Sequence, residues 1–488
     1  MTLAPVASIV EALGAAGLLV EVRGTLPATI AGFTDDSRAV APGFAFAAVR
    51  GHAADGHAYL GAAASAGMAL ALVEDATGVT VPAIIVRESR RAVSVAAAAA
   101  WGHPARSLRM VGVTGTSGKT TTVAMLRHLL EATGHPAASI GTLGVLVGSE
   151  GTPLPGGAGL TTPGPVELQA VCRALVDRGV RDVAMETSSH ALDQHRVDAI
   201  QFAAGVFTNL SRDHLDYHHS MDAYRDAKAR LIGLLAPDGV AAVNADAPEW
   251  DALPRAPRTL RFSIVRPDAD VRAEHLATGP RGSSFELVHA GRRAPVQLPL
   301  IGDFNVGNAL GAAAAAIGMG LDVNAVAGRL STLPQVPGRL ERILDAPVVL
   351  RDYAHKPDAL ERALQAVRPF CPGRLIVVFG CGGDRDRGKR PIMGGIAERL
   401  ADVVILTSDN PRTEDPERIL DEIETGMTAR RHERVEDRRA AIARALAIAG
   451  PSDLVVLAGK GHETYQIRGT QKLPFDEAAI TRELAGVA

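Results

Sequence analysis

The sequence predicts an α/β protein of three domains, a smaller one followed by two larger units built on doubly wound parallel sheets. Three observations predict this. The chain has 488 residues, too many for one core and enough for three domains of ~150 residues. Short apolar runs alternate with helical stretches from about residue 106 onward, the pattern of parallel strands joined by crossover helices. Two breaks interrupt the pattern, Trp101-Gly102-His103-Pro104 after an Ala-rich helix and Leu333-Pro334-Gln335-Val336-Pro337-Gly338, where Gly and Pro stop regular structure. The domains are therefore expected at 1–105, 106–338 and 339–488.

In the first domain, Phe44 to Val49, Ala69 to Val73 and Ile84 to Val86 are short apolar runs, and 91–100 is the Ala-rich helix. Two polar loops, Thr34 to Arg38 and Gly51 to Gly56, interrupt it. Composition alone makes them surface turns.

The second domain opens on its most informative stretch, Val111-Gly112-Val113-Thr114-Gly115-Thr116-Ser117-Gly118-Lys119-Thr120-Thr121-Thr122. Apolar residues precede it, and a helical run with Val123, Met125, Leu126, Leu129 and Leu130 follows. A strand, glycine-rich turn and helix in this order aim several backbone N–H groups and a positive helix end at one point, which suits a phosphate chain. Lys119 can reach terminal phosphates, and the Thr120 hydroxyl can join a Mg²⁺ shell. The pattern departs from the common P-loop, having Val113 where that motif has its first glycine. Val180 to Met185, Ala203 to Phe207 and Gly239 to Val243 read as further buried strands. Glu186-Thr187-Ser188-Ser189-His190 and Thr208 to His219 follow two of them, where open α/β sheets place ligands. Glu186 fits a Mg²⁺ partner. His214 and its neighbours can add a second cation site or form a solvated loop, since Mg²⁺ prefers oxygen to imidazole.

The last domain reads as a Rossmann-like α/β unit with apolar runs at Pro347 to Leu350, Arg374 to Phe379, Val403 to Ser408 and Leu454 to Ala458. Gly380 to Arg390 follows one run but has Arg385 where a dinucleotide turn needs its third glycine, so an anionic substrate suits it better. Ser408 to Arg412 and Ala458 to Glu463 end two others. Together these loops offer Arg forks for a carboxylate and acids for an ammonium group, as a zwitterionic amino acid requires.

Composition narrows the function. With 51 basic against 54 acidic residues the net charge is −3, which gives no nucleic-acid surface and no basic membrane patch. The hydrophobic fraction is 47% but only 4% is aromatic, so Ala, Val, Leu and Ile must build the cores. Cys172, Cys371 and Cys381 are too scattered for a disulfide frame or zinc site, which points to a reducing compartment. No apolar run reaches the ~18 residues of a membrane span. The expectation is a soluble cytoplasmic protein.

Nine ordered blocks carry a family resemblance: TGTSGKTT, ETSSHAL, FTNLSRDHLDYH, GDFNVGNAL, PGRLE, DYAHKPDAL, GCGGDRDRGKRPIM, TSDNPRTEDP and AGKGHE. Over about residues 34 to 475 the chain resembles the Mur ligases. It departs from them at Ser117 and Lys356, where Asn and Thr are common, and at Leu160, where Asn is frequent.

The resemblance implies domains for UDP, ATP and amino-acid binding, and an ATP- and Mg²⁺-dependent amide ligase of cytoplasmic peptidoglycan precursor synthesis, acting as a monomer. Its substrates would be UDP-N-acetylmuramoyl-L-alanyl-D-glutamate (UDP-MurNAc-L-Ala-D-Glu) and meso-diaminopimelate. It assigns Ser37, His52, Thr161, Thr162, Ser188, Gln194 and Arg196 to the UDP-linked dipeptide, which reverses the surface-turn reading of the two N-terminal loops. It assigns Gly115, Thr116, Ser117, Gly118, Lys119, Thr120, Thr121, Asn305, Arg339 and Asp352 to ATP. Arg385, Asp409, Asn410, Pro411, Arg412, Gly459 and Glu463 would hold diaminopimelate. Lys228 has the spacing of an ordinary surface lysine on a helix; the resemblance makes it an N6-carboxylated lysine, catalytic with Lys119, Glu186 and His214, and a metal partner with Thr120, Glu186 and His214. Closure of the C-terminal domain is expected to complete the site. Two relatives in function compete: a ligase adding L-lysine, and a folylpolyglutamate synthetase-like ligase. Arg412 discriminates, because lysine lacks the second carboxylate it would serve. A nucleotide-switch binding protein would leave Arg385, Arg412 and Glu463 without purpose.

Overall fold

A computed structural model describes residues 3–51, 54–157, 159–429 and 431–487. The chain forms two compact units: Met1–His275 with Glu286–Val296 and Val306–Ser331, and Leu276–Phe285 with Gln297–Asn305 and Thr332–Ala488. None of the described helices is long and apolar enough to cross a membrane.

The first unit begins with a five-stranded sheet. Strands Ala83–Val86, Leu70–Val73, Phe44–Ala47 and Gly32–Thr34 run parallel, and Leu19–Arg23 pairs antiparallel on one edge. Helix Ser89–Ala100 packs on this sheet through Ala92, Val93, Ala96, Ala97, Ala99 and Ala100. Small side chains let it approach closely. It ends as the sequence indicates, at Trp101 and a left-handed Gly102.

The second sheet has eleven strands. At its centre Arg109–Thr114 lies parallel between Asp182–Glu186 and Phe202–Phe207. The chain leaves the central strand for Ala137–Gly141, returns to Asp182–Glu186, and then crosses to Phe202–Phe207 on the other side. The strand order therefore reverses at Arg109–Thr114, and a crevice opens at its carboxyl end. Register makes this exact in position: Glu186 pairs with Val113, and Phe207 with Thr114. Beneath the crevice Met110, Val183, Met185, Phe202, Phe207 and Leu231 share one core cluster, each large side chain contributing roughly 1.5–3 kcal/mol by burial.

The expected strands at 180–185, 203–207 and 239–243 appear as Asp182–Glu186, Phe202–Phe207 and Leu235–Asn244. The sheet is also longer than the apolar runs indicated. Gly144–Val147 and Thr152–Leu154 extend one edge antiparallel, and strands from Arg258 to Leu298 extend the other. Some are buried on one face only; Arg292–Leu298 alternates buried and exposed positions toward its end. Such strands leave no continuous apolar run.

In the second unit, Val348–Asp352, Leu454–Ala458, Leu375–Phe379, Val403–Leu406 and His432–Arg434 form a parallel sheet in that order, with Glu341–Asp345 antiparallel on its edge. Arg438, at the start of helix Arg438–Ile448, is fully buried and paired with the equally buried Glu477 at 2.8 Å. The same guanidinium donates to the Ala458 carbonyl at 2.9 Å and to that of Ser408 at 3.4 Å. It thus ties together the ends of two strands from which polar loops leave. Arg438→Met strands a buried carboxylate and is expected to cost about 3–5 kcal/mol, measured by urea unfolding of the full chain; a loss below about 1 kcal/mol, the scale of an exposed pair, would contradict this role.

Candidate active site

The loop after the central strand is shaped by two glycines that need left-handed backbone, Gly115 (φ +145°) and Gly118 (φ +85°). A Cβ at Gly115 would strike the Thr208 hydroxyl, and one at Gly118 the Asn308 amide. Gly118 is the N-cap of helix Lys119–Leu130 and brings no capping side chain to it, which leaves that helix end suited to an external anion. The neighbouring strand's loop braces the turn. Thr116 N–H donates to the Asn209 carbonyl (2.8 Å), Ser117 N–H to Asn209 Oδ1 (3.0 Å), and the Thr208 hydroxyl to the Ser117 carbonyl (2.7 Å).

Lys119 does not extend outward as its motif suggested. Its Nζ folds back onto the Gly115 and Thr116 carbonyls, at 2.9 Å each. Lys228, on helix Met221–Gly233, is not the surface lysine of its spacing but only 1% exposed. Its Nζ donates to the same Gly115 carbonyl at 2.9 Å and lies 4.3 Å from the Tyr224 ring centre. Two ammonium groups thus converge on one carbonyl.

Glu186 stands at the end of the adjacent strand, 2% exposed. Its carboxylate accepts the Thr142 N–H (2.7 Å) and hydroxyl (3.2 Å), and among the described residues it has no ion-pair partner. A buried carboxylate without a counter-ion is costly and fits a divalent cation with a preference for oxygen. Among the described residues no group of three or more His, Cys, Asp or Glu side chains could hold a metal alone, so phosphate oxygens and water would complete any shell. His214 has left-handed backbone (φ 53°) and stacks edge-on to His190 at 4.8 Å. Burial lowers the pKa of both His190 and His218, which keeps these rings neutral near pH 7.

A hydrogen-bond chain leads away from Glu186. The buried Thr162 donates its hydroxyl to the Glu186 carbonyl (2.8 Å) and accepts the Ser188 N–H (3.1 Å). Ser188 caps helix Ser189–Asp193. Arg196 donates to the Thr162 carbonyl (3.0 Å) and, from Nε and Nη2, to Gln194 Oε1 (3.1 and 2.6 Å). Gln194 reaches the Tyr217 hydroxyl at 3.2 Å. Thr162, Ser188, Gln194 and Arg196 are thereby brought together, with Thr161 adjoining in the chain. Ser37 lies in a short 3₁₀ turn capped by Asp36 in the N-terminal domain. His52 lies outside the described residues.

The second unit carries two further groups. Arg339 lies 4.9 Å from the Tyr353 ring centre, and Tyr353 contacts the rings of His355 (4.5 Å) and His462 (5.0 Å). Burial pushes both imidazoles down to about 4. Burial also pushes the Asp352 carboxyl up to about 6, opposed by Arg339 and by the Leu340 N–H it accepts at 2.7 Å. Asn305, 1% exposed, donates to the Ile301 carbonyl at 2.8 Å.

The loops that begin at Ser408 and Gly459 meet beside two other strand ends. Asn410 Nδ2 donates to Glu463 Oε2 at 2.8 Å, and the buried Asp409 lies beside the left-handed Gly459. Arg412 also has left-handed backbone (φ 52°) and donates from Nη1 to the Gly383 carbonyl at 2.8 Å. Arg385 is exposed and bonds only its neighbour's carbonyl among the described residues, Asp384 O at 3.0 Å. Beneath them the fully buried Arg390 grips Glu414 through both Nη atoms (3.0 and 2.9 Å), and this bonding holds the Glu414 carboxyl at about 2. Sequence reasoning did not single out Thr142, Asn209 or Lys460, whose partners Glu186, Ser117 and Asn410 lie far away in the chain.

Comparison with known proteins agrees across the chain. Family profiles match as the Mur ligase family catalytic domain over residues 29–110, the Mur ligase middle domain over 113–316 and the Mur ligase glutamate ligase domain over 338–461. A UDP-N-acetylmuramoyl-L-alanyl-D-glutamate–2,6-diaminopimelate ligase of Geobacter metallireducens is 44% identical, over 95% of this chain and 96% of that one. The enzyme of the same name from Brucella melitensis is 44% identical, over 93% and 94%. A solved structure bearing this name superposes with TM-score 0.69 at 34% identity, over 96% and 97%. A Mycobacterium tuberculosis folylpolyglutamate synthase superposes with TM-score 0.65 at 21% identity, a likeness of fold alone.

The raised Asp352 value has a consequence for stability. A carboxyl bound more tightly to its proton in the folded than in the unfolded chain stabilises the fold below pH ~4, and that contribution is lost as pH rises to about 6. Asp352→Asn keeps an acceptor for Leu340 N–H and is expected to be more stable than the parent at pH 7.5 by on the order of 1–3 kcal/mol, with the difference gone near pH 4. Thermal unfolding at the two pH values checks it; a variant less stable at pH 7.5 would contradict it.

Proposed function

The chain belongs to the Mur ligase family, and from that premise we propose that it is the ATP-dependent ligase that joins meso-diaminopimelate to UDP-N-acetylmuramoyl-L-alanyl-D-glutamate. The observation that carries the reading is near-complete alignment at 44% identity with enzymes of that name, together with Asp409, Asn410, Arg412 and Glu463 in loops that follow strands of the second unit's sheet. The division of labour we propose is UDP binding by 1–105, ATP binding by 106–338 and amino-acid binding by 339–488, in a monomeric cytoplasmic enzyme.

A carboxylate is a poor acyl donor. The D-glutamyl carboxylate oxygen therefore attacks the γ-phosphorus of ATP, ADP leaves, and an acyl phosphate forms. The neutral amine of diaminopimelate attacks the acyl carbon; phosphate departs and the amine's proton is released, leaving an amide. The protein's contribution is position and charge. The amides of 115–121 cradle the phosphates. Lys119 exchanges its loop carbonyls for phosphate oxygens and offsets the repulsion of the two anions. Thr162, Ser188, Gln194 and Arg196 hold the dipeptide, with Thr161, Ser37 and His52. Asn305, Arg339 and Asp352 hold the nucleoside. Thr120, Glu186, His214 and a carboxylated Lys228 would hold Mg²⁺, which supplies Lewis-acid neutralisation of the reacting oxygens.

The modification of Lys228 removes a conflict seen in the structure. An ammonium buried beside Lys119 on one carbonyl repels both that lysine and a cation at Glu186. Adding CO₂ to the neutral amine forms a carbamate and releases a proton, turning a positive group into an anionic oxygen ligand. In bicarbonate labelled with ¹³C, the native enzyme is expected to show one carbamate resonance that Lys228→Ala lacks. That variant should lose at least about 10²-fold in kcat, the scale of a lost electrostatic partner, and recover with added short carboxylic acids. A fully active Lys228→Ala without additives would exclude the role.

Selectivity tests the function itself. Arg412 spends one N–H on Gly383 and keeps others for the distal carboxylate of diaminopimelate, which lysine lacks. A site built to bond a substrate group can reject the analogue without it by about 10⁴-fold. Phosphate release should depend on both the UDP-dipeptide and diaminopimelate, with lysine scarcely used, and Arg412→Ala should lose most of this activity. Equal kcat/KM for lysine and diaminopimelate would overturn the assignment.

A further inference from the structure

Lys460 is as deeply buried as any charged residue of the second unit, with no exposed surface, and the roles above leave it unused. Its Nζ donates to the Tyr465 carbonyl (2.8 Å) and Asn410 Oδ1 (3.1 Å), and lies 3.5 Å from Asp409 Oδ1 and 3.4 Å from Glu463 Oε2. The Tyr465 and Phe475 rings stand about it at 6.0 and 5.9 Å. An ammonium so far from water is retained only against strong partners. Here three of the four are side chains of the amino-acid loops.

The bonds fix more than charge. Asn410 Oδ1 accepts both Lys460 and the Ile467 N–H (2.9 Å), so its amide NH₂ is turned the other way, onto Glu463 Oε2 at 2.8 Å. Reversing that amide would set NH₂ against an ammonium and an N–H, and oxygen against a carboxylate. Lys460, together with the Ile467 N–H, therefore fixes the orientation of Asn410, and both Lys460 and Asn410 hold Glu463. It also balances one of two neighbouring carboxylates. Asp409 and Glu463 without it would repel; with it they present one net negative charge, matched to a single substrate ammonium.

We infer that Lys460 is a positioning residue for amino-acid recognition, an internal counter-ion that locks Asn410 and Glu463 and sets the charge offered to the substrate's ammonium group. This rests on the ligase reading. The test is Lys460→Met in the full chain, with diaminopimelate-dependent phosphate release followed under variation of each substrate in turn. Truncating one partner of a buried charge group costs enough for a rise of about 30-fold or more in the KM for diaminopimelate, while kcat and the KM values for ATP and UDP-dipeptide stay within about threefold. Because the effect passes through Glu463, it should shrink to about threefold when introduced into Glu463→Gln. If Lys460→Met does not fold, Lys460→Gln, which keeps N–H donors for the Tyr465 and Asn410 oxygens but removes the positive charge, is measured in the same way. It is expected to raise the KM for diaminopimelate through the unbalanced Asp409 and Glu463; an unchanged KM overturns the counter-ion role. A loss spread evenly over the three substrates, or undiminished in the Glu463→Gln background, overturns the inference. Absence of diaminopimelate-dependent phosphate release in the wild type overturns the ligase reading itself, and is told apart by appearing before any substitution.

Discussion

Parallel pairing in one register governs the first unit's chemistry. Because Glu186 sits level with Val113 and Phe207 with Thr114, three loops must emerge at one height beside the point where the strand order reverses. That register sets Glu186 and Asn209 beside the carboxyl end of the central strand, and Lys228 reaches the same loop from helix Met221–Gly233. The hydrogen bonds that join Asn209 and Thr208 to the glycine-rich loop are then short-range consequences of a long-range pairing. Slipping the Phe202–Phe207 strand by one residue would remove them all at once.

Charge is arranged differently in the two units. In the first unit two lysines converge on one carbonyl of the glycine-rich loop and a carboxylate is buried at the end of the adjacent strand, charges suited to a reaction in which anions must be forced together. In the second unit, Arg438 with Glu477 is a fully buried ion pair, and the buried Arg390 is held by Glu414 and by the partly exposed Glu422. They contribute shape rather than reactivity, since each charge is met inside the protein. The charges left for a substrate are the arginines Arg385 and Arg412 and the acids Asp409 and Glu463, both signs together, as a zwitterion would require.

The sequence displayed this plan unevenly. The phosphate loop was legible because its geometry is local: strand, glycines and helix are consecutive, and residue type alone reports the backbone. The strand-end loops were legible because polar residues after buried strands have few structural reasons to be there. Lys228 was not, because helical spacing says where a side chain points on its own helix and nothing of what packs against it; only the resemblance singled it out. Lys460 was hidden for a related reason, as a lysine between two glycines of a loop reads as solvated until Asn410 and Glu463 arrive from elsewhere. The strands between Arg258 and Leu298 lacked continuous apolar runs because several of them, such as Gly282–His289 and Arg292–Leu298, alternate more and less buried positions.

The folded-back Lys119 has a bearing on how long a nucleotide stays. Its ammonium already holds two carbonyl oxygens of its own loop, so an arriving triphosphate does not meet a vacant cation but displaces existing bonds. The ground-state affinity gained is the difference between two sets of hydrogen bonds, each worth only about 0.5–1.5 kcal/mol net. The full attraction appears only as charge gathers on the transferring group. Once transfer is complete and the γ-oxygens have gone, the loop carbonyls compete for the lysine again. On the proposed role, a lysine with its own resting place would shorten the residence time of the spent nucleotide, and the loop would reset itself between turnovers.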